Sequence, residues 1–347
     1  MLFRYEDIPL LYEDTEILVL NKPAGIAVIP ERYEEGELSL LELLAERGGL
    51  PGGQNPNLTR LQHQEPTGSG RNVAKLRNQK PSGNAKGRFQ FLGGEEGEPH
   101  LDTPVPEGSD LLKPPDSPIR PVHRIDKETS GVVLFAKTEE AFRALSLQFQ
   151  ERTLTKIYHA LVVGRPGWVE QDCDAPLLVD GDRRHRTIVH REGKPSHTYL
   201  KVLETFRDFA LVEAQPKTGR THQIRAHLSY LGHPIVGDAL YRGGEGLFLS
   251  AFKRGYKGMS FFSSASKKFV EQGGGGREKE ASCRAGIPHG STLPQPGGKE
   301  KPLIGRLALH AVSLECRHPR TGELLRFEAP YPKDFAVALK QLRKHGK

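Results

Sequence analysis

Two periodicities divide the chain into strands and helices. Glu16–Leu20 (EILVL) reads as a strand that ends at Asn21, Lys22 and Pro23, and Gly131–Ala136 (GVVLFA) reads as another. Thr138 follows as a helix cap: Glu139 and Glu140 fall in the first turn, and Phe142, Leu145 and Phe149 repeat at helical spacing. Lys156–Val163 alternates as a strand does, and Gly164 with Pro166 ends it. Thr198–Glu204 and Phe209–Ala214 predict an antiparallel pair. Arg220–Leu231 predicts a short helix, with Ile224, Leu228 and Leu231 on its apolar face and Gly232 and Pro234 as stop signals. Leu307–Cys316 and Glu323–Glu328 predict a hairpin across HPRTGE, and Phe335–Leu342 a closing helix. Strands paired by hairpins, with helices at irregular intervals, make the fold class α+β, with a mainly antiparallel mixed sheet and flanking helices.

Two stretches break the pattern. From about residue 48 to 118 the sequence is rich in Gly and Pro and lacks sustained apolar spacing, and from about 255 to 302 it contains the run Gly273–Gly276. Neither offers enough apolar surface to offset the entropy of ordering it, so both are expected to be disordered insertions. They interrupt what is otherwise a single domain spanning residues 1–347. The 38 Gly, 26 Pro and an apolar fraction of only 36% fit that organisation.

The net charge of +7 invites a polyanionic partner, but it is unevenly placed. Ten Lys/Arg and four Asp/Glu lie between Lys253 and Lys301, so most of the excess sits in the second insertion, which is either a plain loop or a basic tether. The three cysteines, Cys173, Cys283 and Cys316, form no CxxC pair and no disulfide framework. The acidic N-terminal residues do not resemble a secretory signal, and no run approaches the roughly 18 apolar residues of a membrane span. A cytoplasmic protein with no membrane association is expected.

Candidate chemistry starts at Pro121–Thr138, PVHRIDKETSGVVLFAKT. Asp126 lies between Arg124 and Lys127 in a turn-rich stretch before a buried strand, so it is held at a loop end on a rigid support. Alone, HRID reads more readily as a surface ion-pair cluster. His222, His227 and His233 raise the question of zinc, but 222 and 227 do not share a helix face and no carboxylate or thiol stands at ligand spacing, so no metal is expected. Arg183, Arg184, Arg186, Arg191 and Lys194 flank a strand at Thr187–His190 and serve either to contact phosphate or to solvate a hairpin.

In order, the chain carries LVLNKPAGIAVIP, HRIDKETSG, KIYHALVVG, GKPSHTYLKVLE, KTGRTHQIRAHLSYLGHPIVGDALY and RLALHAVSLECRHPRTGE. Together these closely resemble the RluA-type family of RNA pseudouridine synthases, over residues 16–47, 119–250 and 303–345. The resemblance implies the pseudouridine synthase fold and the isomerisation of uridines in structured RNA, ribosomal or transfer, by a monomer that uses no cofactor. It implies Asp126 as the catalytic carboxylate, Arg225 as the arginine paired to it, and Tyr158 as the active-site tyrosine. Arg124 would help displace the target nucleotide, Leu309 would lie beneath the flipped base, and His123 and His222 would join them on the substrate-binding side. Ile125 stands where the family usually has Leu. Many members carry a small RNA-binding domain ahead of the catalytic one; here the catalytic pattern begins by residue 16, so recognition is expected to fall to the catalytic domain.

The residue types suit that chemistry. A carboxylate can act as nucleophile or remove a ribose proton, and the sequence leaves both open. A guanidinium, expected to be bidentate on Asp126, would keep it ionised in a poorly solvated pocket. A uracil inside a stack is unreachable, so it must be everted at a cost of a few kcal/mol. The competing readings are a catalytically silent RNA-binding module on the same fold, and a hydrolase using Asp126 with His123.

Overall fold

The structure, a computed structural model, describes residues 3–30, 38–48, 119–244, 246–252 and 300–346. All of them belong to one compact unit. The two expected insertions lie outside the described residues, apart from Gly48 and residues 300–302.

The strands are β1 (Leu10–Glu13), β2 (Ile17–Lys22), β3 (Arg120–Pro121), β4 (Ser130–Ala136), β5 (Thr155–Val163), β6 (Glu170–Cys173), β7 (Leu177–Leu178), β8 (Ile188–Val189), β9 (Thr198–Thr205), β10 (Phe209–Pro216), β11 (Leu309–Arg317) and β12 (Leu324–Glu328). The helices are α1 (Leu40–Gly48), α2 (Glu139–Glu151), α3 (Gln223–Tyr230) and α4 (Lys333–His345). Among the described residues, ten strands form one sheet in the order β1-β2-β4-β11-β5-β10-β9-β6, with β12 beside β11 and β3 beside β4; β7 and β8 pair separately. Every pairing is antiparallel except β4 with β11.

The unbroken apolar runs of β2 and β4 have a direct cause: both faces of the sheet are covered there. Leu18, Leu20, Val133 and Phe135 join one core, with Leu40 and Leu44 of α1, Leu228 of α3 and Leu339 of α4. Ile17, Val19, Val132 and Leu134 point the other way, into a second core built on Phe142, Leu145 and Phe149 of α2. α2 begins where its cap predicts, with the Thr138 hydroxyl accepting a hydrogen bond from the Ala141 N–H at 3.1 Å.

α3 is shorter than its apolar spacing predicts and starts at Gln223 rather than Arg220. His222 holds φ +53°, a left-handed conformation that keeps residues 220–222 out of the helix. β11 likewise starts at Leu309, two residues later than expected.

What places the site is the seam around β11. His310 and Ala311 pair with Ser130 and Gly131 on one side, while Ala311 also faces Tyr158 of β5 on the other. Gly131 has φ +119°, and a Cβ there would lie 2.1 Å from the Ala311 carbonyl oxygen, so only glycine lets β4 come this close. The loop ahead of β4, the middle of β5 and the start of β11 therefore converge. Among the described residues no helix is long and apolar enough to cross a membrane.

Candidate active site

Asp126 sits in the loop between β3 and β4, whose turn is closed by the Thr129 N–H donating to the Asp126 carbonyl at 3.0 Å. The next residue pins this loop to the N-terminal segment. The Lys127 carbonyl accepts from the Gly25 N–H at 2.8 Å and from the Lys22 ammonium at 2.8 Å. Lys22 is fully buried and also donates to the carbonyls of Ile26 and Pro23, at 2.7 and 2.9 Å. A buried ammonium shared among three carbonyls holds the loop at a fixed distance from β2.

Arg225 reaches Asp126 from α3, with Nη1 donating to Oδ2 at 3.1 Å. The bidentate grip expected on Asp126 goes elsewhere. Nε and Nη2 donate to the two carboxylate oxygens of Asp238, at 2.7 and 3.0 Å, which leaves one guanidinium edge for Asp126. The side chains of Asp126 and Arg225 are 13% and 12% exposed and that of Asp238 is 1% exposed. Burial works against the arginine's charge, but the Asp238 hydrogen bonds and the two carboxylate charges outweigh it and hold Arg225 above its ordinary pKa. The guanidinium also lies 5.0 Å over the ring of Tyr241.

His222 places Nε2 3.8 Å from Asp126 Oδ1. Burial lowers its pKa, the nearby Asp126 charge opposing, so the ring is neutral around pH 7. Its Nδ1 lies 3.2 Å from the Tyr241 hydroxyl.

Gln223 explains why α3 can start so abruptly after a turn. Its amide oxygen accepts from the Thr218 hydroxyl at 2.7 Å and the Arg220 N–H at 3.1 Å, and its amide nitrogen donates to the His197 carbonyl and the Thr198 hydroxyl. The Thr198 hydroxyl must then donate to His227 Nδ1, at 2.8 Å, and His227 Nε2–H donates to the Ala175 carbonyl at 2.9 Å. This fully paired network bolts the helix carrying Arg225 to β9. Asp238 is fixed from the other side by Gly237, whose φ of +75° and approach to the Arg306 carbonyl leave no room for a Cβ.

Tyr158 and Leu309 complete the enclosure. Both are buried, at 5% and 3% exposure, and with Asp126, Arg225, His222, Thr129 and Arg220 they line one cavity of about 350 Å³, counted with the space continuous with solvent. Arg124 does not line it, although its charge reaches His222.

His123 lies elsewhere. It is 2% exposed, its Nε2 accepts from the Leu134 N–H at 3.1 Å, and its ring stacks on Phe149 of α2 with centroids 5.0 Å apart. It therefore belongs to the core on the α2 side, away from Asp126. Of the basic residues around β8, Arg186 is committed to Asp182 and to the Leu240 carbonyl, whereas Arg183, Arg184, Arg191 and Lys194 are exposed. Among the described residues no cluster of His, Cys, Asp or Glu could hold a metal ion.

Asp238, Tyr241, Gln223 and Lys22 are not among the candidate residues that the sequence motifs single out. The one local signal was in HPIVGDALY, where a carboxylate follows a glycine in an otherwise apolar run and so needs a buried partner.

A family model described as RNA pseudouridylate synthase matches residues 16–230. The chain is 35% identical over 225 residues to an uncharacterized RNA pseudouridine synthase, YlyB, of Bacillus subtilis, covering 65% of this chain and 56% of that protein. It is 35% identical over 243 residues to the ribosomal large subunit pseudouridine synthase C of Escherichia coli K12, covering 69% of this chain and 61% of that one. To the ribosomal large subunit pseudouridine synthase D of Nitrosomonas europaea it is 34% identical over 225 residues, covering 64% and 51%. The matches thus span little more than half the length of these curated relatives. Among solved structures, human RNA pseudouridylate synthase domain containing 4 superposes with a TM-score of 0.50 over 96% of this chain and 92% of that one, at 21% identity, a likeness of fold.

Proposed function

The chain belongs to the RNA pseudouridylate synthase family, and from that premise we propose that it converts uridine to pseudouridine in large-subunit ribosomal RNA. The observation that carries this reading is the 3.1 Å contact of Arg225 with Asp126 inside a cavity that also holds Tyr158 and Leu309. The ribosomal substrate is supported by the names of two relatives; transfer RNA is the other structured RNA to be tested.

Each step asks for something a residue here can do. The everted uracil enters between Leu309 and the ring of Tyr158, which supply apolar and stacking surface in place of lost neighbours. Arg124, at the margin, occupies the space the base vacates. Asp126, paired with Arg225, acts at the ribose while the bond from C1′ to N1 breaks, either as nucleophile or as the base for a ribose proton. The freed uracil turns to present C5, the bond from C1′ to C5 forms, and the proton on C5 leaves past the Tyr158 phenol. Uridine and pseudouridine are isomers, so atoms balance with no co-reactant. The protein acts as a monomer in the cytoplasm, and residues 1–347 serve as a single catalytic domain.

The test is to map pseudouridines in total RNA from cells with and without this protein, and to repeat it with Asp126→Asn. Uridines that convert only with the wild-type chain, while the variant binds RNA within about tenfold, are expected. Conversion by the variant, or no dependent uridine in any RNA, overturns the assignment.

A further inference from the structure

The Tyr241 hydroxyl has one hydrogen and makes three contacts at hydrogen-bond distance. The Thr187 N–H donates to it at 3.0 Å, the Thr187 carbonyl oxygen lies 3.1 Å away, and His222 Nδ1 lies 3.2 Å away. All three contacts are hydrogen bonds in one arrangement only. The hydroxyl gives its hydrogen to the Thr187 carbonyl and accepts from both the Thr187 N–H and His222 Nδ1–H. The alternative, donation to His222, withdraws that donor from the carbonyl of a residue that is 1% exposed. His222 is neutral, so a hydrogen on Nδ1 leaves a lone pair on Nε2.

That lone pair faces the catalytic carboxylate. Nε2 and Asp126 Oδ1 are 3.8 Å apart, both acceptors, and both residues line the cavity. Two acceptors at that separation do not bond each other; a donor placed between them bonds to both. We propose that His222 and Asp126 form a two-acceptor seat for a hydrogen-bond donor of the everted nucleotide, and that Tyr241 is the positioning residue that sets the tautomer of His222. A uridine carries two candidate donors, the base N3–H and the ribose 2′-hydroxyl. A cytosine has an acceptor at N3, so a seat for N3–H would also exclude cytidine. The inference rests on the pseudouridine synthase reading.

The experiment uses an RNA stem-loop around a uridine mapped as above, with that residue replaced by 3-deazauridine or by 2′-deoxyuridine. Affinity is read by rapid-mixing fluorescence before turnover. For the wild-type chain, one of the two replacements is expected to weaken binding about tenfold, which identifies the donor. In His222→Phe the same replacement should cost no more than about threefold, because one acceptor is already missing. Tyr241→Phe, which keeps the ring beside Arg225, should shrink the discrimination too and covers the case in which His222→Phe does not fold. A wild-type chain indifferent to both replacements, or a tenfold penalty retained in both variants, overturns the seat while leaving the activity intact. A wild-type chain that converts no uridine overturns the functional reading instead.

Discussion

Asp238 accepts two hydrogen bonds from Arg225, at 2.7 Å from Nε and 3.0 Å from Nη2, and thereby selects the guanidinium hydrogen that is left for Asp126. The positive group the sequence assigns to one carboxylate is held between two. The more buried of them does the holding, because its hydrogen bonds cannot be exchanged for water. Asp238 in turn accepts from the Tyr241 N–H at 3.1 Å. In the proposed reaction Asp126 thus meets the substrate while its counter-charge stays in place.

Asp238→Asn tests that division of labour. The amide keeps the shape but can accept only one of the two guanidinium bonds, so Arg225 should turn and its contact with Asp126 loosen. We expect turnover to fall about tenfold to a hundredfold while RNA affinity stays within about threefold, with stability lower by about 1–3 kcal/mol. Single-turnover rates and urea midpoints check it. An unchanged rate would mean that the clamp is purely structural.

Tyr158→Phe separates the two uses proposed for the tyrosine. The ring stays on β5 between Ala214 and Ala311, so stacking and RNA binding should persist within about threefold. Removing the phenol should stall the reaction after the new carbon bond forms and before the C5 proton leaves. Chromatography of digested RNA should then show a product that retains that proton. Normal turnover in the variant would place proton removal on another group.

The parts legible in the sequence are those fixed by local pattern. β2 and β4 stand out because both faces are buried, and α2 because Thr138, the acidic first turn and the apolar spacing agree. α1 carries a capping box, in which the Ser39 N–H and hydroxyl donate to Glu42 at 2.7 Å, but apolar spacing alone passes over it. The start of α3 departs from the apolar spacing because the Gln223 side chain and a left-handed His222 make it, rather than a capping hydroxyl. His123 lies in the same short motif as Asp126, yet adjacency does not say which face of the sheet a side chain joins. Asp238 and Tyr241 reach the site through a folded loop, a relationship no spacing rule expresses.

Gly237→Ala should act on catalysis from a distance. A Cβ there would lie 2.0 Å from the Arg306 carbonyl, and φ of +75° is strained for alanine by about 1 kcal/mol before any clash. The chain must shift, and Asp238 is the next residue. Thermal unfolding should show a loss of at least about 2 kcal/mol, and turnover should fall alongside it. Gly322→Ala is the control, since it shares a positive φ of +73° but meets nothing within 4 Å. It should lose about 1 kcal/mol with no change in turnover. Equal effects of the two substitutions on turnover would sever Gly237 from the site.

Acid stability should be governed by buried neutral histidines. His310 is fully buried, accepts from the Ser130 hydroxyl at Nδ1, 2.9 Å away, and donates from Nε2 to the Ala329 carbonyl at 3.1 Å. Burial pushes its pKa down to about 4 from the usual 6.5. Between those two values the unfolded chain binds a proton that the folded chain refuses, so stability falls as pH falls through this window. For His310 alone the loss from pH 7 to pH 5 is about 2 kcal/mol, and His159, His222, His227 and His233, lowered by the same burial, add in the same direction. Carboxylates held low by partners, such as Asp14 and Asp182, lose their contribution only at lower pH. His310→Gln can reproduce both hydrogen bonds without titrating. Its urea midpoint should therefore move less between pH 7 and pH 5 than that of the wild-type chain; an equal shift in both would show that His310 contributes nothing to the acid response.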